Sequence, residues 1–208
     1  PFEFWGRVNV MKAAIHYADI INTVSETYAE EIARSDEYGY GLEGILRSRA
    51  GELVGILNGI DMDAWDPSKD ALIPYRFTPE RLAGKGKCRT ELLRSYGLPA
   101  PSAGPVVGMV SRLVDQKGFD ILAEAFEEIM ALGARVVILG TGQERYHELY
   151  RGLAAKHARQ FGLKLEFNNG IAHLIEAGSD FFLMPSRYEP CGLNQMYSLR
   201  YGTIPIVR

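Results

Sequence analysis

The chain has 208 residues, 47% hydrophobic and 24% charged, with a formal net charge of −3. That balance belongs to an ordinary globular protein; it gives no support to a nucleic-acid surface, and no apolar run approaches the ~18–20 residues of a membrane span. Cys88 and Cys191 are too few for a disulfide framework and no signal peptide opens the chain, so a reducing cytoplasm, or a plastid interior, is the expected compartment. In chain order, residues 5–17 place apolar side chains at Val8, Val10, Met11, Ala14 and Ile15, which predicts a helix with a broad apolar face. Residues 19–24 read as a short strand, and Ser25 as the N-cap of a helix with Glu26 in its first turn. Residues 35–44, rich in glycine, tyrosine and acid, read as a surface loop. Residues 53–57 read as a strand ending in the turn Asn58-Gly59-Ile60-Asp61. Residues 66–86 carry prolines and charges with no sustained period and suit a connection between domains. A short amphipathic helix over 87–96 and a loop over 99–105 follow.

A second series begins at residue 105. It alternates strands at 106–110, 135–139, 163–167 and 181–184 with helices at 119–130, 144–161 and 172–177. Pro190 suits the first position of a further helix, in which Leu193, Met196, Tyr197 and Arg200 recur at helical spacing until Gly202. A βαβαβαβα order predicts a parallel sheet with right-handed crossovers. The chain has no initiator methionine, and residues 203–208 read as a fresh strand, so an internal fragment of a longer protein is expected.

In open α/β sheets, ligands bind beyond the carboxyl ends of the strands. The strand at 181–184 delivers Glu189 and the amides of Cys191, Gly192 and Leu193 to that edge, at the mouth of a helix. Such amides bind anions, Gly192 permits close approach, and Glu189 adds an acceptor for hydroxyls. The loop SRLVDQKG, after the strand at 106–110, brings Arg112 and Lys117 to the same edge. An anion beside a polyhydroxylated group describes a sugar nucleotide, whose diphosphate needs positive charge as it leaves. A divalent metal often supplies it, but no aspartate pair or His/Cys cluster here suits one. Arg112 can instead clamp a phosphate bidentately and Lys117 can add a compact charge, so neither a metal nor a cofactor is expected. The plainer readings are a solvated basic loop and a Glu189 that only complements a helix dipole. Cys191 has no histidine near it in sequence and is read as a backbone amide rather than a nucleophile.

The stretch SRYEPCGLNQMYSLRYGTIP resembles the SRFEPCGL-Q-YSLRYGT-P wording of bacterial glycogen synthases and plant starch synthases. The segments YADIINTVSETYAEEI, NGID with Trp65 and Pro67 after it, SRLVDQKG and GTG are similar to the same family, so the resemblance covers almost the whole chain. It implies an α/β protein of GT-B type, with two Rossmann-like domains facing across a cleft, both incomplete here. Residues 1–62 would end the N-terminal, acceptor-side domain. Residues 63–104 would form the connection and a short helix, and residues 105–208 the first half of the nucleotide-sugar domain. The implied activity is transfer of glucose, with retention, from ADP-glucose to the non-reducing end of an α-1,4-glucan.

The resemblance also assigns roles. Arg112 and Lys117 would hold the diphosphate and Glu189 the sugar hydroxyls. Gly140, Thr141 and Gly142 would lie near the nucleotide. Asn58 would line the acceptor cleft, with a plain tight turn as its other reading. Phe167 stands where the family stacks a tyrosine on adenine; a core position at a strand end is its other reading. His173 matches a family histidine and is read as a hydrogen-bonded structural one, while Leu174 replaces a usual arginine. Tyr197 stands where many other GT-B enzymes have a second glutamate, a departure the synthases share. The family's Lys-x-Gly-Gly-Leu loop, an aspartate and a histidine of its first domain, and its Thr-Gly-Gly loop find no match, so the chain alone is expected to be inactive. A GT-B enzyme using another nucleotide sugar, such as UDP-glucose, and a non-catalytic nucleotide- or glucan-binding module are the alternatives. The expected partners are ADP-glucose and glucan, with no nucleic acid and no membrane; the oligomeric state stays open.

Overall fold

The computed structural model describes residues 1–100 and 103–208, so the loop expected over 99–105 lies partly, at 101 and 102, outside them. The chain divides into two compact units. The first is Pro1–Gly59 with Glu189–Leu193, and the second is Ile60–Tyr188 with Asn194–Arg208.

The first unit opens with an antiparallel hairpin, β1 (Glu3–Phe4) and β2 (Arg7–Val8), turned by Trp5 and Gly6 at positive φ. The helix predicted over 5–17 therefore starts only at α1 (Val10–Tyr17), where the Asn9 side chain accepts from the Lys12 amide at 2.9 Å. Next come β3 (Ile21–Thr23) and α2 (Glu26–Arg34), capped as predicted by the Ser25 hydroxyl, which accepts from the Tyr28 amide at 3.1 Å. The same hydroxyl donates to the Pro190 carbonyl at 2.6 Å. The loop expected over 35–44 is largely helical. Ser35 caps α3 (Asp36–Gly39), and α4 (Glu43–Ser48) follows. The acids that suggested a loop, Asp36, Glu37 and Glu43, sit in first helical turns, where they complement the dipole. The chain then forms β4 (Leu53–Gly55), parallel to β3. The Arg49 guanidinium donates to the carbonyls of Ile15, His16 and Ala18 at 2.6–2.8 Å, satisfying the open end of α1.

The second unit runs through α5 (Ala83–Ser95), β5 (Val106–Val110), a 3-10 turn (Asp115–Lys117), α6 (Phe119–Ala131), β6 (Arg135–Leu139), α7 (Glu144–Lys156) and β7 (Phe161–Lys164). It closes with α8 (Asn169–Gly178), β8 (Phe181–Met184), α9 (Leu193–Arg200) and β9 (Ile204–Val207). Among the described residues the strands form one parallel sheet in the order β7-β6-β5-β8-β9. Alternate residues face opposite layers: Val106, Val137, Leu139 and Phe182 pack with α5 and α8, while Val107, Met109, Val136 and Ile138 pack with α6 and α7. Cover on both faces is why these strands read as unbroken apolar runs.

Several boundaries differ from expectation. α7 ends at Lys156, and Phe161 opens β7, which places Phe167 beyond the strand. α8 starts early because the Asn168 side chain accepts from the Ile171 amide at 3.0 Å. Pro190 is not the first residue of α9; a turn with Gly192 at φ 77° intervenes. Residues 66–82 pack with the second unit, Ile73 and Phe77 enter its core, and α5 starts at Ala83 rather than at 87.

A buried polar knot fastens that segment. One Asp70 carboxylate oxygen accepts from the Tyr201 hydroxyl at 2.6 Å and lies 2.8 Å from His173 Nδ1; the other accepts from the Leu72 amide at 2.7 Å. Trp65 stacks between His173 and Tyr197, with ring centroids 3.9 Å away on each side. His173 thus takes the structural role expected of it. Nearby, burial pushes the Glu176 carboxyl up to about 8 despite a 2.8 Å hydrogen bond from Ser198, and pushes Lys85 down to about 8.

Two outcomes follow. Asp70→Ala strands two buried donors, Tyr201 and His173, and should destabilise the protein by about 3 kcal/mol in urea titration, whereas Tyr201→Phe should cost about 1 kcal/mol. Glu176 has a folded pKa above its ordinary 4.5, so its stabilising contribution is complete in acid and lost as the pH rises through about 8. Lys85, depressed from 10.5, contributes in the opposite sense, losing stabilisation as the pH falls through about 8. Glu176→Gln should therefore gain more than ~1 kcal/mol relative to wild type between pH 5 and pH 8; parallel curves would contradict the buried-acid assignment.

Candidate functional site

From β5 the chain winds outward through β6 to β7, then returns to lay β8 against the opposite side of β5. Loops leaving the strand ends on either side of such a reversal part and leave a crevice. Here the carboxyl ends of β5, β6 and β7 open into a cleft of about 270 Å³. Its walls are Ser111 and Arg112 after β5, Gly140 and Thr141 after β6, Glu166 to Asn169 after β7, Ala172, and Asn194 from α9.

Backbone pairing between loops fixes these walls. The Ser111 amide donates to the Leu139 carbonyl at 3.1 Å and the Leu113 amide to the Thr141 carbonyl at 3.0 Å, while the Leu113 carbonyl accepts from the Gln143 amide at 2.9 Å. Leu113 is fully buried, so the exposed Arg112 beside it projects from a rigid base. Its guanidinium has no hydrogen-bond or ion-pair partner among the described residues. Gly140 is required by contact, because a Cβ there would overlap the Ser111 carbonyl oxygen. Across the strand reversal, the Asn194 amide group donates to the Val110 carbonyl at 3.0 Å. Asn168 is fixed twice: it caps α8, and its amide nitrogen donates to Glu166 at 3.1 Å.

Phe167 is 92% exposed at this cleft, which overturns the core reading of that residue and leaves its ring face open to a planar ligand. Lys117 stands further along the same loop as Arg112: it ends the 3-10 turn, is partly buried, has an interaction partner, and is not among the residues that line this cleft. That turn is seated on the end of β8, since a Cβ at Gly118 would overlap the Pro185 carbonyl oxygen. Gln116 reinforces it, accepting from the Arg187 amide at 2.8 Å and donating to the Tyr188 carbonyl at 3.3 Å. Arg187 forks onto both Asp120 oxygens at 2.8 and 2.5 Å, and this bonding holds the Asp120 carboxyl down at about 2.

Arg112, Gly140, Thr141 and Phe167 thus meet in one cleft of the second unit. Glu189, Cys191, Gly192 and Leu193 group with the first unit, as does the exposed Asn58. Gly142 lies just outside the cleft, and its amide donates to His147 Nε2 at 3.0 Å. Among the described residues no group of three or more His, Cys, Asp or Glu side chains is arranged to hold a metal ion. Nor is any helix long and apolar enough to cross a membrane. Sequence reasoning missed Asn194 and Glu166, which carry no pattern of their own, and His147, which stands alone in the sequence.

Comparison with known proteins agrees along the whole chain. A family model described as starch synthase catalytic domain matches residues 1–48, and one described as glycosyl transferases group 1 matches residues 97–208. The glycogen synthase of Koribacter versatilis is 50% identical over 206 residues, 99% of this chain and 42% of the relative; that of Myxococcus xanthus is 52% identical over 206 residues, 99% and 43%. The chain therefore spans less than half the length of the curated relatives it matches. The catalytic domain of starch synthase IV from Arabidopsis thaliana, solved bound to ADP and acarbose, superposes with a TM-score of 0.92 at 36% identity, covering 100% of this chain and 43% of that one. Fold and sequence together lead to one conclusion: this chain belongs to the glycosyl transferases group 1 family and has the α/β fold of GT-B glycosyltransferases.

Proposed function

We propose that the protein transfers glucose from ADP-glucose to the non-reducing end of an α-1,4-glucan, as a glycogen or starch synthase. The observation that carries this reading is the convergence of an unpaired arginine, a glycine-lined turn and an exposed phenyl ring on one cleft at the strand reversal. A nucleoside diphosphate has matching parts: an anion for Arg112, a close backbone approach for Gly140 and Thr141, and a base for Phe167. The names of the relatives and the ADP bound by the Arabidopsis enzyme support the same assignment.

In this mechanism the bond from the anomeric carbon to the diphosphate oxygen breaks as the acceptor hydroxyl forms the new glycosidic bond from the same face. The charge on departing ADP is neutralised by Arg112 and Lys117 without a metal ion, and the leaving phosphate oxygen takes the hydroxyl proton. Glu189 holds the sugar hydroxyls through an oxocarbenium-like transition state, the amides of Cys191, Gly192 and Leu193 face the donor, and Asn58 serves the acceptor side. We assign the work to the cytoplasm, or to a plastid in a plant host.

In the full-length protein, Arg112→Ala and Lys117→Ala should each lower kcat about 10²–10³-fold, the usual cost of removing one preorganised electrostatic contact. Loss below threefold for both would remove them from the diphosphate. Running the same assay with UDP-glucose separates the donors, since preference for it would move the protein to another group-1 activity. Phe167→Ala should weaken ADP about two- to tenfold by calorimetry, a stacking loss of ~0.5–1.5 kcal/mol, while leaving the unfolding midpoint unchanged because the ring is exposed. Phe167→Tyr should bind like wild type.

A further inference from the structure

We propose that His147 is a positioning residue of the donor cleft, whose neutral imidazole holds the Gly140–Gly142 turn, and through it Arg112, in the shape that takes a nucleoside diphosphate. The inference rests on the donor-site reading above and adds a residue that does not itself line the cleft.

The geometry fixes the tautomer. His147 is buried in the first turns of α7, and its Nε2 lies 3.0 Å from the Gly142 amide and 3.4 Å from the Thr141 hydroxyl. A backbone amide only donates, so Nε2 must be the bare, accepting nitrogen and the ring proton must sit on Nδ1. Nδ1 points to a Glu144 carboxylate oxygen at 3.3 Å, an acceptor for that proton. The other Glu144 oxygen takes Arg151 at 3.0 Å, which anchors the relay on the helix surface. The remaining charged neighbours are committed to one another, since Arg145 bonds Asp115, which also accepts from the Tyr146 hydroxyl.

The bond reaches the cleft in two steps. Gln143, the residue before α7, makes no side-chain cap, so His147 reaches back one turn to take an amide that would otherwise be left open. The turn it fixes carries Thr141, whose carbonyl accepts from Leu113, and Gln143, whose amide donates to Leu113. Leu113 is the buried neighbour of Arg112. Loss of the imidazole lone pair would free the turn and, with it, the base from which Arg112 projects.

Protonation would have the same effect as removal. In the imidazolium both nitrogens donate, so Nε2–H would face the Gly142 N–H with no acceptor between them.

The test is calorimetric ADP binding by the full-length wild type, His147→Ala and His147→Gln, with thermal unfolding measured alongside. Glutamine keeps an acceptor. His147→Ala should bind ADP at least fivefold more weakly, and His147→Gln should recover most of that loss. If His147→Ala fails to fold, His147→Leu, which fills the space but offers no acceptor, takes its place in the comparison. An alanine or leucine variant that loses thermal stability but not ADP affinity, or a His147→Gln variant that binds no better than they do, would overturn the proposal and leave His147 a helix cap. Failure of wild type to bind ADP would overturn the donor-site reading itself.

Discussion

Parallel pairing of β5 with both β6 and β8 is the constraint on which the second unit depends. A parallel strand needs a crossover to reach its neighbour, and the crossover helices cover the sheet faces. Once β5, β6 and β7 have wound outward, the next strand must return to the far side of β5, and the loops there must diverge. The cleft is thus a consequence of strand order before any side chain is specified. What the sequence adds is furniture at the strand ends: a cation after β5, glycines after β6 and an aromatic ring after β7.

The segment from residue 60 to 82 shows how polar satisfaction can do what apolar packing alone does not. It has no regular period, yet beside the apolar anchors Ile73 and Phe77 it is held to α8 and to Tyr201 by Asp70, whose two oxygens serve Tyr201, His173 and a backbone amide. A buried carboxylate is costly unless its lone pairs are filled, and here several are. The same helix, α8, is capped by Asn168 and carries Ala172 directly before His173; Asn168 and Ala172 are both on the cleft wall, so the knot and the cleft share one element.

Periodicity carried the sheet. Apolar runs at 106–110, 135–139 and 181–184 coincide with β5, β6 and β8 because strands covered on both faces have no polar register to confuse the reading. Helix starts were legible where a cap stood in the expected place, as at Ser25, and were missed where the chain did something local first, as in the hairpin before Asn9. Phe167 resisted assignment because composition cannot distinguish a phenylalanine just inside a strand from one just past it. β7 ends three residues earlier, and that shift separates a core side chain from an exposed one. Asn194, Glu166 and His147 were illegible for a different reason: each acts through a partner distant in sequence, and such pairings have no periodic signature.

The arginines of the second unit divide by what surrounds them. Arg187 is matched to Asp120, Arg145 to Asp115, Arg89 to Asp180 and Arg200 to Asp66. Each pair spends its charge on joining two elements, and a guanidinium so engaged can bind an incoming anion only by giving up a carboxylate. Arg112 has no such partner among the described residues, although acids stand on neighbouring loops. An unpaired cation on a rigid base gains nothing for the folded state, and the base itself is expensive to build, requiring a buried Leu113, two inter-loop backbone bonds and a glycine where no side chain fits. Rigid support for an unsatisfied charge is what transition-state stabilisation requires, because a cation already oriented needs no reorganisation when a diphosphate develops charge against it. What sets Arg112 apart is thus the combination of an unpaired guanidinium, a rigid base and a place on the cleft wall.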